Sequence, residues 1–432
     1  HTVPSHVCVH PMNLTGRAGS SVRTTFLSLR NRNFRLFFIG HLISNTGNWL
    51  TNVALTLLVL SLTDNGLAVG ILAACQYGPV FFLSAWAGAV ADRSDKRRFL
   101  FITQSLSMLQ SFALAIMAFM PNPPLPAFYV LAVLGGILLS FDNPLRRSFV
   151  PEMVRQDDIA NAVVLNSLVI NVSRIFGPTL AGLLIVTLGY GWCFTIDAFS
   201  YLAVLICLFM MRPEELRRRP PKPRAKGEVR DGIRYIRSVP VLWIPMAMLA
   251  AIGILAYNFT VTLPLFVTGA LHSNDAMFTL LYATFSFGSV VGALVVANRG
   301  LVSVRTIVIG AGLLGLCMLA LASIPSVRAG FPIMLLLGAA SILYMTSTTA
   351  NVQVTARPDM HGRILALQSS LMIGGTLIGA PVLGFLADVA GTRAPIVLGG
   401  LVCIGAAILG GYALRAQAPE AIRAHRVPSN TS

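Results

Sequence analysis

Residues 154–184 read VRQDDIANAVVLNSLVINVSRIFGPTLAGLL, and residues 356–386 read ARPDMHGRILALQSSLMIGGTLIGAPVLGFL. The two stretches align at a shift of 202 residues, with identities at seven paired positions: Arg155/Arg357, Asp157/Asp359, Leu165/Leu367, Ser167/Ser369, Gly177/Gly379, Gly182/Gly384 and Leu184/Leu386. A shorter pair, AVADR (89–93) and VVANR (295–299), lies at a similar offset. The sequence therefore predicts two copies of one structural unit.

The composition predicts that both units lie in a membrane. The chain of 432 residues is 55% hydrophobic and only 11% charged, whereas a soluble protein carries about 25% charged residues. Its apolar runs are long enough for helices of about 20 residues, the length that crosses a bilayer. We expect an all-α protein, because each backbone group in lipid needs a partner within the chain.

Twelve spans are predicted, with boundaries good to a few residues: 34–62, 66–91, 99–120, 126–147, 161–188, 191–211, 242–268, 276–297, 305–324, 330–356, 363–388 and 394–414. An even number of spans in each copy makes the two six-helix bundles parallel repeats.

The charges predict the orientation of the spans. The net charge is +16, which invites a nucleic-acid interpretation, but all 32 lysines and arginines except Arg174, Arg328 and Arg393 fall on one side of the predicted spans. Such asymmetry marks the cytoplasmic side. We therefore expect a multi-pass protein of the bacterial cytoplasmic membrane with both termini inside, in contact with lipid and not with nucleic acid.

Five segments follow from these boundaries. They are a cytoplasmic tail (1–33), a first bundle (34–211), a basic linker (212–241), a second bundle (242–414) and a cytoplasmic tail (415–432). Within the linker, GEVRDGIRYIRS is expected to form an amphipathic helix on the inner membrane face, where its arginines meet anionic lipid.

A polar stripe interrupts the first span, HLISNTGNWLTN (41–52). His41, Asn45, Asn48 and Asn52 share one face of a helix, and an unpaired amide in lipid costs several kcal/mol. Two interpretations remain open. The amides either bind neighbouring helices and hold the bundle together, or they line a water-filled cavity that a substrate enters.

Ionisable residues inside spans are few, and each is a candidate for mechanism. Arg174 lies near the centre of the fifth span, where an arginine costs roughly 2.5–3.5 kcal/mol; it either recognises an anion, partners a titrating acid or forms a structural salt bridge. Asp197 is the first candidate for proton coupling, Asp142 the second and His41 the third. Asp142 lies one turn before Arg146 and is expected to pair with it.

Two motifs carry a family resemblance. GAVADRSDKRR (88–98) resembles the loop between the second and third spans of the major facilitator superfamily, matching at Gly88, Asp92, Arg93, Lys96 and Arg97, with Asp95 where glycine is usual. SRIFGPTLAG (173–182) resembles the fifth-helix motif of exporters, here Gly177, Pro178 and Gly182.

Residues 141–169 and 191–204 are similar to the branch that contains macrolide-efflux proteins, the enterobactin exporter and transmembrane secretion effectors. The resemblance implies two bundles around a central substrate site and a cavity lined by the first helix. It also implies a conformational latch formed by Gly88, Asp92, Arg93, Lys96 and Arg97.

In the second bundle, Tyr257, Asn258, Tyr282, Tyr344 and Gln368 are candidates for the cavity wall, although a packing role is open for each.

No catalytic or nucleotide-binding motif was found in the sequence, and its cysteines form no metal-binding pattern. We expect a non-enzymatic monomer without cofactor or metal. The hypothesis is a proton-coupled exporter of an amphipathic small molecule, a drug or siderophore-like metabolite; the alternatives are an importer or facilitator, or a non-transporting receptor or enzyme.

Overall fold

The structure is a computed structural model that describes residues 27–217, 228–299, 304–357 and 360–424. The predicted tail up to residue 26, residues 218–227 of the basic linker, Asp359 and residues 425–432 lie outside the described residues. Within the described ranges every regular element is helical. The longer helices are α1 (Arg32–Thr63), α2 (Gly66–Arg93), α3 (Lys96–Ala118), α4 (Leu125–Phe149), α5 (Ile159–Thr187), α6 (Tyr190–Phe209), α7 (Glu228–Ser238), α8 (Pro240–Leu255), α9 (Phe259–Leu265), α10 (Asp275–Arg299), α11 (Val304–Ala322), α12 (Val327–Thr355), α13 (His361–Ala390) and α14 (Ala394–Ala424).

Eleven helical segments of the described chain are long and apolar enough to cross a membrane. The predicted first span is not among them, although α1 is 32 residues long. Its imidazole and three amides lower the mean hydropathy of the helix. The prediction of an all-helical membrane protein is confirmed, and the polar stripe explains why the first helix differs from the rest.

Large apolar side chains cover the outside of the helical bundle. Phe209 is 78% exposed, Phe82 72% and Leu409 72%. Polar side chains such as Asp197 and Gln104 are instead fully or almost fully buried. This distribution is the one expected where lipid surrounds the protein.

The two bundles meet along equivalent helices of the repeat. Helix α2 packs against α13, and α5 packs against α10. The described contacts cluster away from the basic end, by which we mean the helix ends that carry Arg93, Arg146 and Arg212. At the opposite end the Asp388 carboxylate accepts hydrogen bonds from the backbone N–H groups of Gly66 (2.6 Å) and Leu67 (2.8 Å).

Glycines bring the backbones together at this seam. A Cβ atom at Gly70 would collide with the backbone of Ala380, and one at Gly384 would collide with the backbone of Gly66. Small residues allow such close helix contacts in membrane proteins. The opposite end is therefore closed by direct backbone contact between the bundles.

The predicted seventh span, 242–268, is not one continuous helix. The chain leaves the helix after Leu255, and α9 begins at Phe259, followed by a π turn at Phe266–Ala270. The Asn258 amide donates to the carbonyls of Ile254 (2.8 Å) and Gly253 (3.3 Å). It thus replaces backbone partners that the break removes.

Two helices extend beyond the predicted spans. Helix α1 begins at Arg32, inside the predicted first tail, and α14 continues to Ala424, inside the predicted last tail. In the linker, α7 occupies the stretch where the amphipathic helix is expected, with Ile236 buried. The backbone N–H of Arg357 donates to the Tyr235 hydroxyl (3.2 Å), so α7 is attached to the segment that precedes α13.

Candidate functional site

The polar stripe of α1 lines a cavity of about 280 Å³ within the first bundle. Helices α1, α2, α4 and α5 form its walls. The lining residues are His41, Asn45, Asn48, Trp49, Asn52, Gln76, Tyr77, Leu139, Asp142, Asn143, Arg146, Arg147, Asn166 and Ile170. Arg147 is exposed at the basic end, so the cavity reaches the surface there.

The same stripe also joins neighbouring helices. His41 Nδ1 lies 3.0 Å from Asn166 Oδ1, and the Asn52 amide donates to Gln76 Oε1 (3.0 Å). Asn48 accepts a hydrogen bond from the Tyr201 hydroxyl (2.8 Å). The two interpretations of the stripe are therefore compatible, because one side of each amide is held by the bundle while the residue borders the cavity.

Asn45 differs from the other members of the stripe. Its Nδ2 atom is buried and makes no hydrogen bond within the described residues. A buried amide without a partner costs about 1–3 kcal/mol. Asn45 is therefore the member of the stripe with a free donor for a bound molecule.

Arg174 lies on α5 one turn beyond Ile170, which lines the cavity. Its guanidinium stacks over the Trp49 ring at 5.5 Å, next to Tyr282 of the second bundle. Trp49 and Tyr282 are themselves in contact, with ring centroids 6.4 Å apart. The arginine therefore sits where the two bundles meet.

None of the second-bundle candidates, Tyr282 included, is among the residues that line this cavity. The Tyr257 hydroxyl donates to the Ser341 carbonyl (2.7 Å), and Asn258 caps the helix break. Tyr344 is fully buried beside Tyr257, and the Gln368 amide donates to Thr349 (2.8 Å). The described hydrogen bonds of Tyr257, Asn258 and Gln368 are made within the second bundle.

Asp142 and Arg146 form the ion pair that their spacing predicts, at 2.6 Å. Gln104 closes a triangle, because its amide donates to Asp142 (2.6 Å) and its carbonyl accepts from Arg146 (2.9 Å). The charge of Asp142 is thus matched within the bundle.

Asp197 is wholly buried, and its described partners are hydroxyl groups. It accepts hydrogen bonds from Thr51 (2.8 Å), Ser111 (2.9 Å) and Ser200 (3.2 Å). It borders a second polar cavity of about 60 Å³, which Asp142 also borders. The two carboxylates chosen from the sequence therefore share one small cavity, a relation that their separation along the chain does not reveal.

Other lining residues escaped the sequence analysis. Gln76, Gln104 and Tyr201 contribute polar groups to these cavities, and Asn166 faces His41. Each is a polar side chain inside a predicted span. The argument applied to the α1 stripe, that a buried amide or hydroxyl needs a partner, would have identified them.

The latch residues named above make their described contacts within the first bundle. Lys96 forms a buried ion pair with Glu152 at 2.7 Å, and Arg97 donates to the carbonyls of Leu208 (2.9 Å) and Phe209 (3.3 Å). Asp92 and Arg93 line a surface cavity of about 330 Å³ at the basic end, and Gly88 is buried in α2.

Asp95, which replaces the usual glycine of the loop motif, caps α3. Its carboxylate accepts a hydrogen bond from the backbone N–H of Arg98 (3.1 Å). Aspartate is among the favoured residues at this position because it satisfies a free helical N–H group. The loop thus ends in a side-chain cap where other sequences carry a glycine.

The fifth-helix motif lies at two contacts. A Cβ atom at Gly177 would meet Trp49 and the backbone of α1, whereas one at Gly182 would collide with Thr279 of α10. Pro178 lies between them and is buried. The motif therefore permits one close contact inside the first bundle and one between the bundles.

Solved structures share this fold. A bacterial homologue of the human lysosomal transporter Spinster, in an inward-facing unoccupied conformation, matches with a TM-score of 0.73 and 13% identity, over 89% of this chain and 97% of that one. The POT family transporter PepTSo matches with a TM-score of 0.74 and 13% identity, over 89% of this chain and 98% of that one. At this identity the likeness shows the fold alone, which is that of the major facilitator transporters.

The family follows from the sequence. The family described as transmembrane secretion effector matches residues 23–431, and the chain belongs to it. The enterobactin exporter EntS of Citrobacter koseri is 25% identical over 368 residues, 82% of this chain and 85% of that one. The staphyloferrin A transporter of Staphylococcus aureus is 28% identical over 268 residues, 60% of this chain and 66% of that one. The predicted family is confirmed, and the chain is a multi-pass membrane transporter.

Proposed function

We propose that this transporter exports an amphipathic small molecule, a drug or siderophore-like metabolite, from the bacterial cytoplasm. The relatives with matched sequences include enterobactin exporters of Citrobacter koseri and Escherichia coli. Export also fits the fifth-helix motif, which this chain shares with exporters by resemblance. The observation that carries the proposal is the polar cavity of α1, because it supplies a polar site inside an otherwise apolar bundle.

The mechanism proposed is alternating access around this site, with the bundles rocking against each other. The bundles are in contact at the end opposite to the basic end, and the cavity reaches the surface at Arg147. Because the charge asymmetry assigns the basic end to the cytoplasm, the described arrangement corresponds to a state that is open to the cytoplasm. Opening the contacts of Asp388 with α2 would give the alternate state.

Proton exchange is the proposed source of energy, with Asp197 as the carrier. The partners of Asp197 are three uncharged hydroxyl groups, whereas Asp142 forms an ion pair with an arginine at 2.6 Å. The charged form of Asp197 therefore depends more on surrounding water for its stability. Entry of water into the 60 Å³ cavity would therefore change the protonation of Asp197 first. His41 is a weaker candidate because Asn166 already occupies one of its ring nitrogens.

The test is export of a compound panel from proteoliposomes that contain the purified protein, with and without an imposed pH gradient. Asp197→Asn should abolish the response to the gradient, while Asp157→Asn, an exposed aspartate at the basic end, should keep it. Unchanged export after collapse of the gradient would reject proton exchange. Accumulation of a compound in the inward direction would instead support an importer or facilitator.

A further inference from the structure

Arg174 is a half-buried arginine whose charge the described part of the protein leaves unmatched. No carboxylate of the described residues forms an ion pair with it within 4.0 Å, and its Nε atom is buried without a hydrogen-bond partner. An unmatched arginine near the middle of a span is costly and marks a functional site by default.

Arg146 provides the contrast within the same bundle. Its guanidinium is held by Asp142 and Gln104, both within 3 Å. The first bundle can therefore supply partners for the full charge of an arginine. Arg174 receives the Trp49 ring and the Tyr282 hydroxyl instead, and neither group carries a negative charge.

The charges of the neighbouring cavity point the same way. Its lining includes Arg146 and Arg147 against the single carboxylate Asp142, so the wall has a surplus of positive charge even before Arg174 is counted. Trp49 and Tyr77 supply flat aromatic surface to the cavity wall, and Trp49 stacks against Arg174. A ligand that fits this setting carries a negative group and an apolar or aromatic body.

We propose that the transported molecule carries a carboxylate that binds Arg174 beside Trp49. The unpartnered Nε and an adjacent Nη of the guanidinium form the edge that accepts a carboxylate with two parallel hydrogen bonds. The inference rests on the proposed function only in assuming that the cavity is the transport site. It narrows the substrate class to amphipathic organic acids.

The test uses two fluorescent probes of nearly equal size, dansylglycine and dansylglycinamide, which differ in the carboxylate. Both are titrated against the full-length protein in nanodiscs, and binding is read from dansyl emission. Loss of a charge-assisted hydrogen bond costs about 1.5–3 kcal/mol, so dansylglycine should bind wild-type protein at least about tenfold more tightly than the amide.

Three variants assign that preference to one residue. Arg174→Gln should remove it, and Arg174→Lys, which keeps the charge but loses the planar fork, should retain an intermediate preference. Arg305→Gln removes the same charge from an exposed position at the start of α11 and should leave both affinities unchanged. Should Arg174→Gln fail to fold, the lysine variant and the wild-type probe pair still decide the outcome.

Equal affinity of wild-type protein for both probes, no binding of either, or a preference that persists in Arg174→Gln would overturn the inference. Failure of the proposed function looks different. In that case the carboxylate preference depends on Arg174, yet no compound is exported from proteoliposomes. Conversely, export of neutral or cationic compounds that Arg174→Gln does not change would support the proposed export and reject the organic-acid substrate.

Discussion

Replacing Asp388 should shift the transporter away from the state in which the opposite end is closed. This carboxylate, on α13 of the second bundle, accepts two backbone hydrogen bonds from the start of α2 in the first bundle. It serves as a helix cap supplied by the other half of the protein. The bonds exist only while the bundles are in contact at this end, so they stabilise that state selectively.

The magnitude follows from the geometry. Two charge-assisted hydrogen bonds would contribute several kcal/mol if they were dry, but Asp388 is exposed, and solvent reduces the effect to that of a helix cap, about 1 kcal/mol. Loss of about 1 kcal/mol changes the ratio of closed to open states about fivefold. Asp388→Asn keeps the shape and one acceptor, and should give roughly half of this free-energy change.

Distance measurements between two spin labels by electron paramagnetic resonance would report the ratio of closed to open states directly. Spin labels at Leu188 and Val389, both exposed near the opposite end of different bundles, should show a longer distance whose population rises in Asp388→Ala. Asp64→Asn removes an equal charge near the same end and has no described hydrogen bond to the second bundle, so it should behave as wild type. The reasoning is refuted if Asp388→Ala leaves the populations unchanged, or if both variants shift them equally.

Three further variants test other contacts. Glu152→Gln should lower the free energy of unfolding by about 3–5 kcal/mol, because it leaves Lys96 buried without its partner. Thermal unfolding in detergent measures this change. The double variant Lys96→Met/Glu152→Leu should recover part of the loss. Gly182→Ala should weaken the contact of α5 with α10, and the same distance measurement should show a larger population with the opposite end open. Adding Thr279→Ala should restore the wild-type population, because it makes room for the added methyl group. Asn258→Leu should destabilise the protein by about 1–3 kcal/mol, since the carbonyls at the helix break lose their donor; an unchanged melting temperature would show that another group satisfies them.

The sequence allowed the architecture to be predicted because its signals are long and repeated. The internal repeat, the apolar runs and the distribution of arginines each extend over many residues and agree with one another. The break between α8 and α9 is different. It depends on how one side chain, Asn258, meets two carbonyls, and the apolar pattern continues across it without a change.

The candidate site was predictable where one helix alone decided it. The α1 stripe is visible because four polar residues follow helical spacing within one span, and the structure places all four on one cavity. The candidates in the second bundle stay predictions, since an isolated Tyr344 or Gln368 does not reveal which way its helix face turns. Orientation is set by packing between helices, which the spacing within one helix cannot report.

The closed seam consists largely of main-chain atoms brought together by Gly66, Gly70 and Gly384. An alanine scan removes no side-chain atoms at these glycines. It adds a methyl group instead, so any effect it detects there comes from a clash. Substitutions there should act as wedges, favouring the conformation in which the two halves separate at that end without disturbing the residues that bind cargo. The glycines thus offer a means to trap the transporter for structural work while its binding cavity keeps its native side chains.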